Sequence, residues 1–201
     1  MITSGINGHL VLIMAPTGSG KGTLISYIQS VFPHVAMLTS CTTREMRPGE
    51  KNGVDYHFIT RAEFQSKIGQ EEFIEWAEFS GNLYGTLKSD IEMCLKDGQV
   101  VINEIDVQGV IQLQSLVPRE HYTVVYIDAG DWEALQARAL ARAPISEEQL
   151  ALRHKRYLEE DKFKHRADVL IKNKDGQFEE AKVALRAIFE EIITKVEQMK
   201  S

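Results

Sequence analysis

Two cysteines in 201 residues, Cys41 and Cys94, make neither a disulfide framework nor a zinc-ligand spacing. They read as reduced thiols of a cytoplasmic protein. No apolar run approaches the ~20 residues needed to span a bilayer. Residues Met1–Gly8 lack a basic region followed by an apolar stretch, so neither a membrane segment nor a secretory signal is expected. Positive charge is also short. With 23 Lys and Arg against 29 Asp and Glu, the formal net charge is −6, which argues against nucleic acid as the main partner. None of the six histidines stands in a nucleophile, metal-ligand or acid–base constellation. Internal repeats and low-complexity linkers are missing too. The rest is a soluble composition, 43% hydrophobic and 26% charged, at a length near the upper end of one compact domain.

Against that plain background one stretch stands out, Ala15-Pro-Thr-Gly-Ser-Gly-Lys-Gly-Thr23. An unbroken apolar run, Leu10–Met14, leads in, and a helix-like stretch, Leu24–Val31, follows. Strand, glycine-rich turn, Lys and helix form the context of a phosphate-binding P-loop. Gly18 and Gly20 let the backbone aim its N–H groups at an anion. The helix start adds a positive dipole end, and Lys21 adds a full charge that reaches the outer phosphates. Two slots depart from the usual pattern. Ala15 stands where the first Gly is usual, and Gly22 stands where Ser or Thr is usual, with Thr23 the nearest hydroxyl.

Along the chain, short apolar runs alternate with helical patterns. Strands are expected at His9–Met14, Val35–Leu38, Gln99–Asp106, Tyr122–Ile127 and Asp168–Ile171. Helices are expected after the P-loop to about Phe32, over Leu87–Lys96, around Val110–Leu116, over Trp132–Arg142, from Ser146 to about Lys164, and over Phe178–Met199. Thr39 to Asn52 is almost without apolar residues. Beyond it come a strand at Gly53–Ile59, a capping box at Thr60–Glu63, a strand at Glu72–Phe79 and a turn at Asn82–Gly85. The fold class is therefore α/β: a parallel-sheet core with helices on both faces, a small mixed insertion and a polar helical segment. Ligands of such sheets bind at the carboxyl ends of the strands.

Three groups could carry chemistry there. Ser40, Arg44 and Arg47 lie in the polar run, and two arginines three apart suit capture of a phosphate or carboxylate, with Tyr56 and Tyr84 as added donors. Taken alone, these could equally be solvated surface arginines and half-buried rings. Glu104 and Asp106, two apart, should share one face of a strand end and could hold Mg2+ directly or through water. The alternative is a carboxylate capping the next helix at Gln108-Gly109. Arg138, Arg142 and Arg153, on two polar helices joined by Ala143-Pro-Ile145, could close over a migrating phosphoryl group. The alternative is a hairpin salt-bridged to Glu147, Glu148, Glu159 and Glu160.

Taken together, these stretches resemble guanylate kinase, a P-loop nucleoside monophosphate kinase family. The carrying motifs are Ala15–Thr23, Thr42-Thr-Arg-Glu-Met-Arg-Pro-Gly-Glu50, Gly53-Val-Asp-Tyr56, Phe73-Ile-Glu-Trp-Ala77, Gly81-Asn-Leu-Tyr-Gly85 and Glu104-Ile-Asp-Val-Gln-Gly109. Arg153, Glu160, Asp168 and Asn173 follow at matching spacing. The resemblance implies one domain in three parts: a core of about 1–38, 88–129 and 161–201, a GMP-binding insertion of about 39–87, and a lid of about 130–160. It implies transfer of the ATP γ-phosphate to GMP and dGMP, with Mg2+. It assigns ATP to Ala15, Pro16, Thr17, Gly18, Ser19, Gly20, Lys21, Gly22, Thr23 and Asn173. The GMP phosphate goes to Ser40, Arg44, Arg47, Tyr56 and Tyr84, and guanine to Glu75, Thr86 and Asp106. Lys21, Arg44, Arg138, Arg142 and Arg153 are the expected catalytic residues, and Thr23 and Glu104 the Mg2+ site. The lid departs from the family's Arg-Gly-Arg-Gly, reading Leu140-Ala-Arg-Ala143, with Ala137 where Arg is usual. Thr86 replaces a frequent Ser, and Glu104 a frequent Asp. A kinase of another phosphorylated acceptor and an inactive guanylate-kinase-like interaction module are the competing readings. The long polar helices leave monomer or homo-oligomer open.

Overall fold

The computed structural model describes residues 5–79, 81–142 and 145–200, with the Arg142 side chain outside the described part. Five parallel strands form the main sheet in the order β2 (Ala36–Met37), β7 (Val100–Glu104), β1 (His9–Met14), β8 (Tyr122–Asp128) and β9 (Val169–Lys172). The unbroken apolar runs Leu10–Met14 of β1 and Val100–Ile102 of β7 are explained by burial on both faces, whereas the outer strands β2 and β9 are partly exposed. Leu10, Leu12 and Met14 point one way, packing with Ile91 and Leu95 of α3 (Lys88–Lys96) and Val110 and Leu113 of α4 (Val107–Gln114). Val11 and Ile13 point the other way, toward Leu24 and Ile28 of α1 (Lys21–Val31) and the stripe Leu185, Phe189, Ile192 and Val196 of α7 (Phe178–Met199). The period-two side-chain alternation of β1 thus divides the core into two layers.

A second, mixed sheet has the order β4 (His57–Phe58), β3 (Cys41–Thr42), β6 (Asn82–Leu87) and β5 (Phe73–Phe79). Strands β3 and β4 run parallel; β6 is antiparallel to both β3 and β5. Its own core is Cys41, Phe64, Phe73 and Leu83, with the Phe64 and Phe73 rings stacked at 4.3 Å. Phe64 comes from α2 (Arg61–Gly69), whose capping box is formed: Thr60 Oγ1 accepts from the Glu63 N–H at 3.2 Å, and Glu63 Oε2 accepts from the Thr60 N–H at 2.7 Å. Two further helices, α5 (Trp132–Arg142) and α6 (Glu147–Phe163), stand between β8 and β9. Among the described residues, no helix is long and apolar enough to cross a membrane.

Four local expectations are corrected. Asn82–Gly85 is not a turn but the first part of β6, because Leu83, Gly85 and Thr86 are buried in the strand, and Gly81 (φ +77°) lies just before it. Gly85 permits the close strand approach, since a Cβ there would lie 2.9 Å from the Glu75 carbonyl oxygen. The strand expected over Gly53–Ile59 shrinks to His57–Phe58, its first half being turned by Gly53 at φ +79°. The polar run hides a strand, β3, whose Cys41 and Thr42 are both buried. Finally, β7 ends at Glu104, so Asp106 is not on the strand. Asp106 is the N-cap of α4, which starts at Val107 rather than near Val110.

Candidate active site

Four parallel strands end side by side at one edge of the main sheet, and the P-loop lies on that edge. Register pairs Ile13 of β1 with Glu104 of β7, and Asp128 of β8 with Lys172 of β9. The loop's two glycines at φ +88° and +82°, Gly18 and Gly20, turn the chain from β1 into α1, with Gly20 as the N-cap. Ser19 is 1% exposed; its N–H donates to the Pro16 carbonyl at 3.1 Å, and its Oγ accepts from the Lys21 N–H at 3.3 Å. Just past the end of β9, the Asn173 side-chain amide donates to the Ser19 carbonyl at 2.6 Å. Asn173 therefore braces the loop from behind, whatever else it touches. Ala15 is buried and its φ is not positive, so the missing first glycine does not strain the turn.

Gly20 has no room for a side chain: a Cβ would lie 2.7 Å from Asn173 Nδ2 in a left-handed conformation. Gly20→Ala is expected to lower stability by about 1–3 kcal/mol and to raise KM for the nucleoside triphosphate. A melting curve and KM for each substrate check this. An unchanged melting temperature would show that the loop is not braced as described.

Lys21 Nζ, on the first turn of α1, pairs with Glu104 Oε2 at the end of β7 at 2.8 Å. The lysine and the acid are thus brought together, while Asp106 is drawn elsewhere: its Oδ1 accepts from the Gly109 N–H at 2.9 Å. For Asp106 the helix-capping alternative holds. Thr23 is exposed on the first turn of α1.

The small sheet faces this edge with its own polar group. Glu75 on β5 sits opposite Thr86 on β6, and Thr86 Oγ1 donates to Glu75 Oε1 at 2.6 Å. Ser40 Oγ extends the chain to Thr86 Oγ1 at 3.3 Å. Glu75 is 7% exposed, and burial raises its carboxyl to about pH 7, with the Asp106 charge adding to the rise. Gly109 of α4 makes this closeness possible, because a Cβ there would lie 2.8 Å from Glu75 Oε2. Glu75 and Asp106, thirty-one positions apart, thereby converge at the start of one helix.

Arg44 lies near Tyr56 and Phe58, its guanidinium carbon 5.5 Å from each ring centre, and the Tyr56 and Tyr84 rings are 6.0 Å apart. Its fork is bidentate to Glu50, at 3.0 and 2.8 Å, and the Arg47 N–H donates to Glu50 Oε2 at 2.8 Å. Those bonds raise the Arg44 pKa further and lower that of Glu50. The Arg47 guanidinium is exposed, with no hydrogen bond or salt bridge to a described residue. Glu50, which ties Arg44 to the Arg47 backbone, is absent from the candidate residues named from the sequence. Its signal was an acid three residues beyond Arg47 in a run otherwise rich in positive charge.

Arg138 of α5 pairs with Asp175 and reaches the Asn173 carbonyl at 3.3 Å, which ties α5 to the back of the P-loop. Arg153 of α6 is half-buried with no hydrogen bond or salt bridge to a described residue. Arg142's side chain, like Ala143 and Pro144, lies outside the described residues. Glu160 is buried, which raises its pKa, and its partner is Arg156 rather than Arg153. The two helices also meet through Trp132, whose ring stacks on His154 at 4.6 Å. So Arg138 and Arg153 are not used up by the hairpin's own acids.

The guanylate kinase family model matches residues 7–192 of the chain. A guanylate kinase of Synechococcus sp. is 41% identical over 146 residues, covering 73% of this chain and 79% of that one. One of Fusobacterium nucleatum is 37% identical over 168 residues, covering 84% and 89%. One of Rubrobacter xylanophilus is 36% identical over 186 residues, covering 92% and 95%. The crystal structure of guanylate kinase from Anaplasma phagocytophilum superposes with a TM-score of 0.70 at 26% identity, over 92% of this chain and 86% of that one.

Proposed function

The chain belongs to the guanylate kinase family of enzymes, and from that premise we propose that it transfers the γ-phosphate of ATP to GMP, and to dGMP, yielding ADP and the nucleoside diphosphate. The observation that carries the acceptor is the buried Glu75–Thr86 pair beside Asp106. Guanine presents N1–H and N2–H2 side by side, and an ionised Glu75 accepts both. Adenine has no N1 proton and would leave that buried carboxylate unpaired, at a cost of about 1–3 kcal/mol or more. A phosphorylated sugar offers no such paired donors. Intact Gly18, Gly20 and Lys21 weigh against an inactive interaction module.

In this reading the core is 1–38, 88–129 and 161–201, the acceptor insertion 39–87 and the lid 130–160. The P-loop residues 15–23 hold the donor phosphates, and Arg44, Arg47, Ser40, Tyr56 and Tyr84 hold the acceptor phosphate. That phosphate displaces Glu50 from the Arg44 fork, which Glu50 keeps extended and oriented until then. The acceptor oxygen is already ionised near neutrality, so no general base is needed. Catalysis is positioning and charge stabilisation along an in-line path. Lys21, released from Glu104, takes the migrating group from below, and Arg138, Arg142 and Arg153 neutralise it from the lid.

Glu104 supplies a carboxylate 2.8 Å from Lys21 Nζ and Thr23 a hydroxyl on the first turn of α1, and no group of three His, Cys, Asp or Glu that could hold a metal occurs among the described residues. Such a sparse hard-oxygen set fits Mg2+, which keeps several waters and takes ligands from substrate phosphates. Bound there, Mg2+ would supply charge neutralisation at the donor phosphates.

The direct test is ADP production from ATP and Mg2+ with GMP, dGMP, AMP, UMP and CMP offered singly. Turnover is expected with GMP and dGMP alone. Turnover with AMP but not GMP would overturn the guanine site, and turnover with none would overturn the kinase.

A further inference from the structure

Arg156, on α6, belongs to neither nucleotide group named above, yet it touches three parts of the molecule. Its Nε donates to Glu160 Oε1 at 2.8 Å, one helical turn on, and Glu160 is 5% exposed. Its NH2 lies 3.9 Å from Asp106 Oδ2. Its guanidinium carbon stands 4.3 Å from the centre of the Phe79 ring, at the end of β5. One side chain thus joins a lid helix, the cap of α4 and the edge strand of the small sheet.

The Asp106 contact matters most. Oδ1 is committed to the Gly109 N–H, so Oδ2 is the oxygen left for a ligand, and Arg156 faces Oδ2. A carboxylate capped at one oxygen and steered at the other has little freedom to rotate. Closing the gap by about 1 Å would make a charge-assisted hydrogen bond. The Glu160 charge, taken out of water, requires a partner, and it draws the Nε edge of the guanidinium into place. A flat guanidinium can meet a carboxylate along its edge and an aromatic ring with its face, which an ammonium cannot do at once.

We propose that Arg156 is a positioning residue for the acceptor nucleotide, holding Asp106 Oδ2 toward the base and docking α6 on Phe79 so that lid and acceptor sheet close together. This rests on the guanylate kinase reading above. It concerns a residue that acts through Asp106 and Phe79, not one that touches the reacting atoms.

The test is steady-state kinetics with calorimetric GMP binding on the full chain. Arg156→Met, which keeps the aliphatic stem, is expected to raise KM and Kd for GMP about tenfold. Its kcat at saturating GMP should stay within about threefold, and KM for ATP should not move. Arg156→Lys is expected to recover less than half of the loss. Phe79→Leu should weaken GMP binding in the parent but add nothing to Arg156→Met, the signature of coupled residues. Because Arg156→Met leaves Glu160 buried without its partner, Arg156→Met with Glu160→Gln is measured beside it. The double variant should regain the parent's melting temperature and keep the raised KM. Full rescue of GMP binding by Glu160→Gln or by Lys, or equal losses for GMP and ATP, would overturn the role. A parent enzyme inactive with GMP would instead overturn the premise.

Discussion

Replacing Lys21 by Met is expected to lower kcat by about a thousandfold while leaving the fold and GMP binding almost untouched. The size follows from the role proposed for the residue. Charge develops on the migrating phosphoryl group in a partly water-excluded site, where losing one preorganised donor is worth about 10²–10³ in kcat. Here a full positive charge is lost, and no other residue of 15–23 carries one to replace it. Stability should change by less than about 1 kcal/mol, because Lys21 and its partner Glu104 are a quarter to a third exposed and water screens them. The measurement is kcat, Kd for GMP and the melting temperature on one preparation. If Lys21→Met retains more than about a tenth of the parent's kcat, less than a tenfold loss, Lys21 is an ion-pair residue of the fold and not the phosphate-binding lysine.

The second large effect belongs to Glu75. Glu75→Gln replaces one of two acceptor oxygens by an amide that meets the donors of guanine with a donor of its own. A loss of about two to three orders of magnitude in kcat/KM for GMP is expected, with KM for ATP within about threefold. Equal loss for both substrates would mark Glu75 as structural.

Its pH behaviour gives a second, independent reading. The folded carboxyl is raised to about 7, above the ordinary value of 4.5, by burial. Between those two values the folded state binds more protons than the unfolded one. Stability is therefore highest on the acid side, falls as pH rises through the window, and is lower by about 3 kcal/mol once Glu75 is ionised. In the proposed reading GMP takes the ionised form, so its affinity should fall about tenfold per pH unit below 7, with a proton released on binding. Glu75→Gln should abolish that slope between pH 6.5 and 7.5, where the GMP phosphate, with a second pKa of about 6, stays mostly a dianion. A parent whose GMP affinity is flat over the same range would refute the buried-carboxylate account.

Much of the architecture was legible in the chain itself, and some features were not. His9–Met14 reads as a doubly buried strand because nothing polar interrupts it, and the stripe of α7 reads as a helix because its buried residues recur every three or four positions. The capping box at Thr60–Glu63 was visible because its two partners are three residues apart. By contrast, β3 was hidden in a polar run, because two-residue strands are chosen by their neighbours rather than by their own composition. Asn82–Gly85 carries turn residues, yet pairing with β5 and the close approach at Gly85 make it a strand. Asp106 was misplaced by two positions along a pattern that gives no sign of where a strand stops and a cap begins.

The chain alone therefore determined the layered α/β core, the P-loop and the polar run after Thr39, since each depends on residues close in sequence. Only the tertiary structure decided which groups meet: Lys21 at the start of α1 with Glu104 at the end of β7, Arg44 with Glu50 around a turn, Glu75 with Thr86 and Asp106, and Arg156 with Asp106, Glu160 and Phe79. Coulomb and hydrogen-bond energies depend on distances of a few ångströms through space, and register, helix ends and the packing of one sheet against another set those distances.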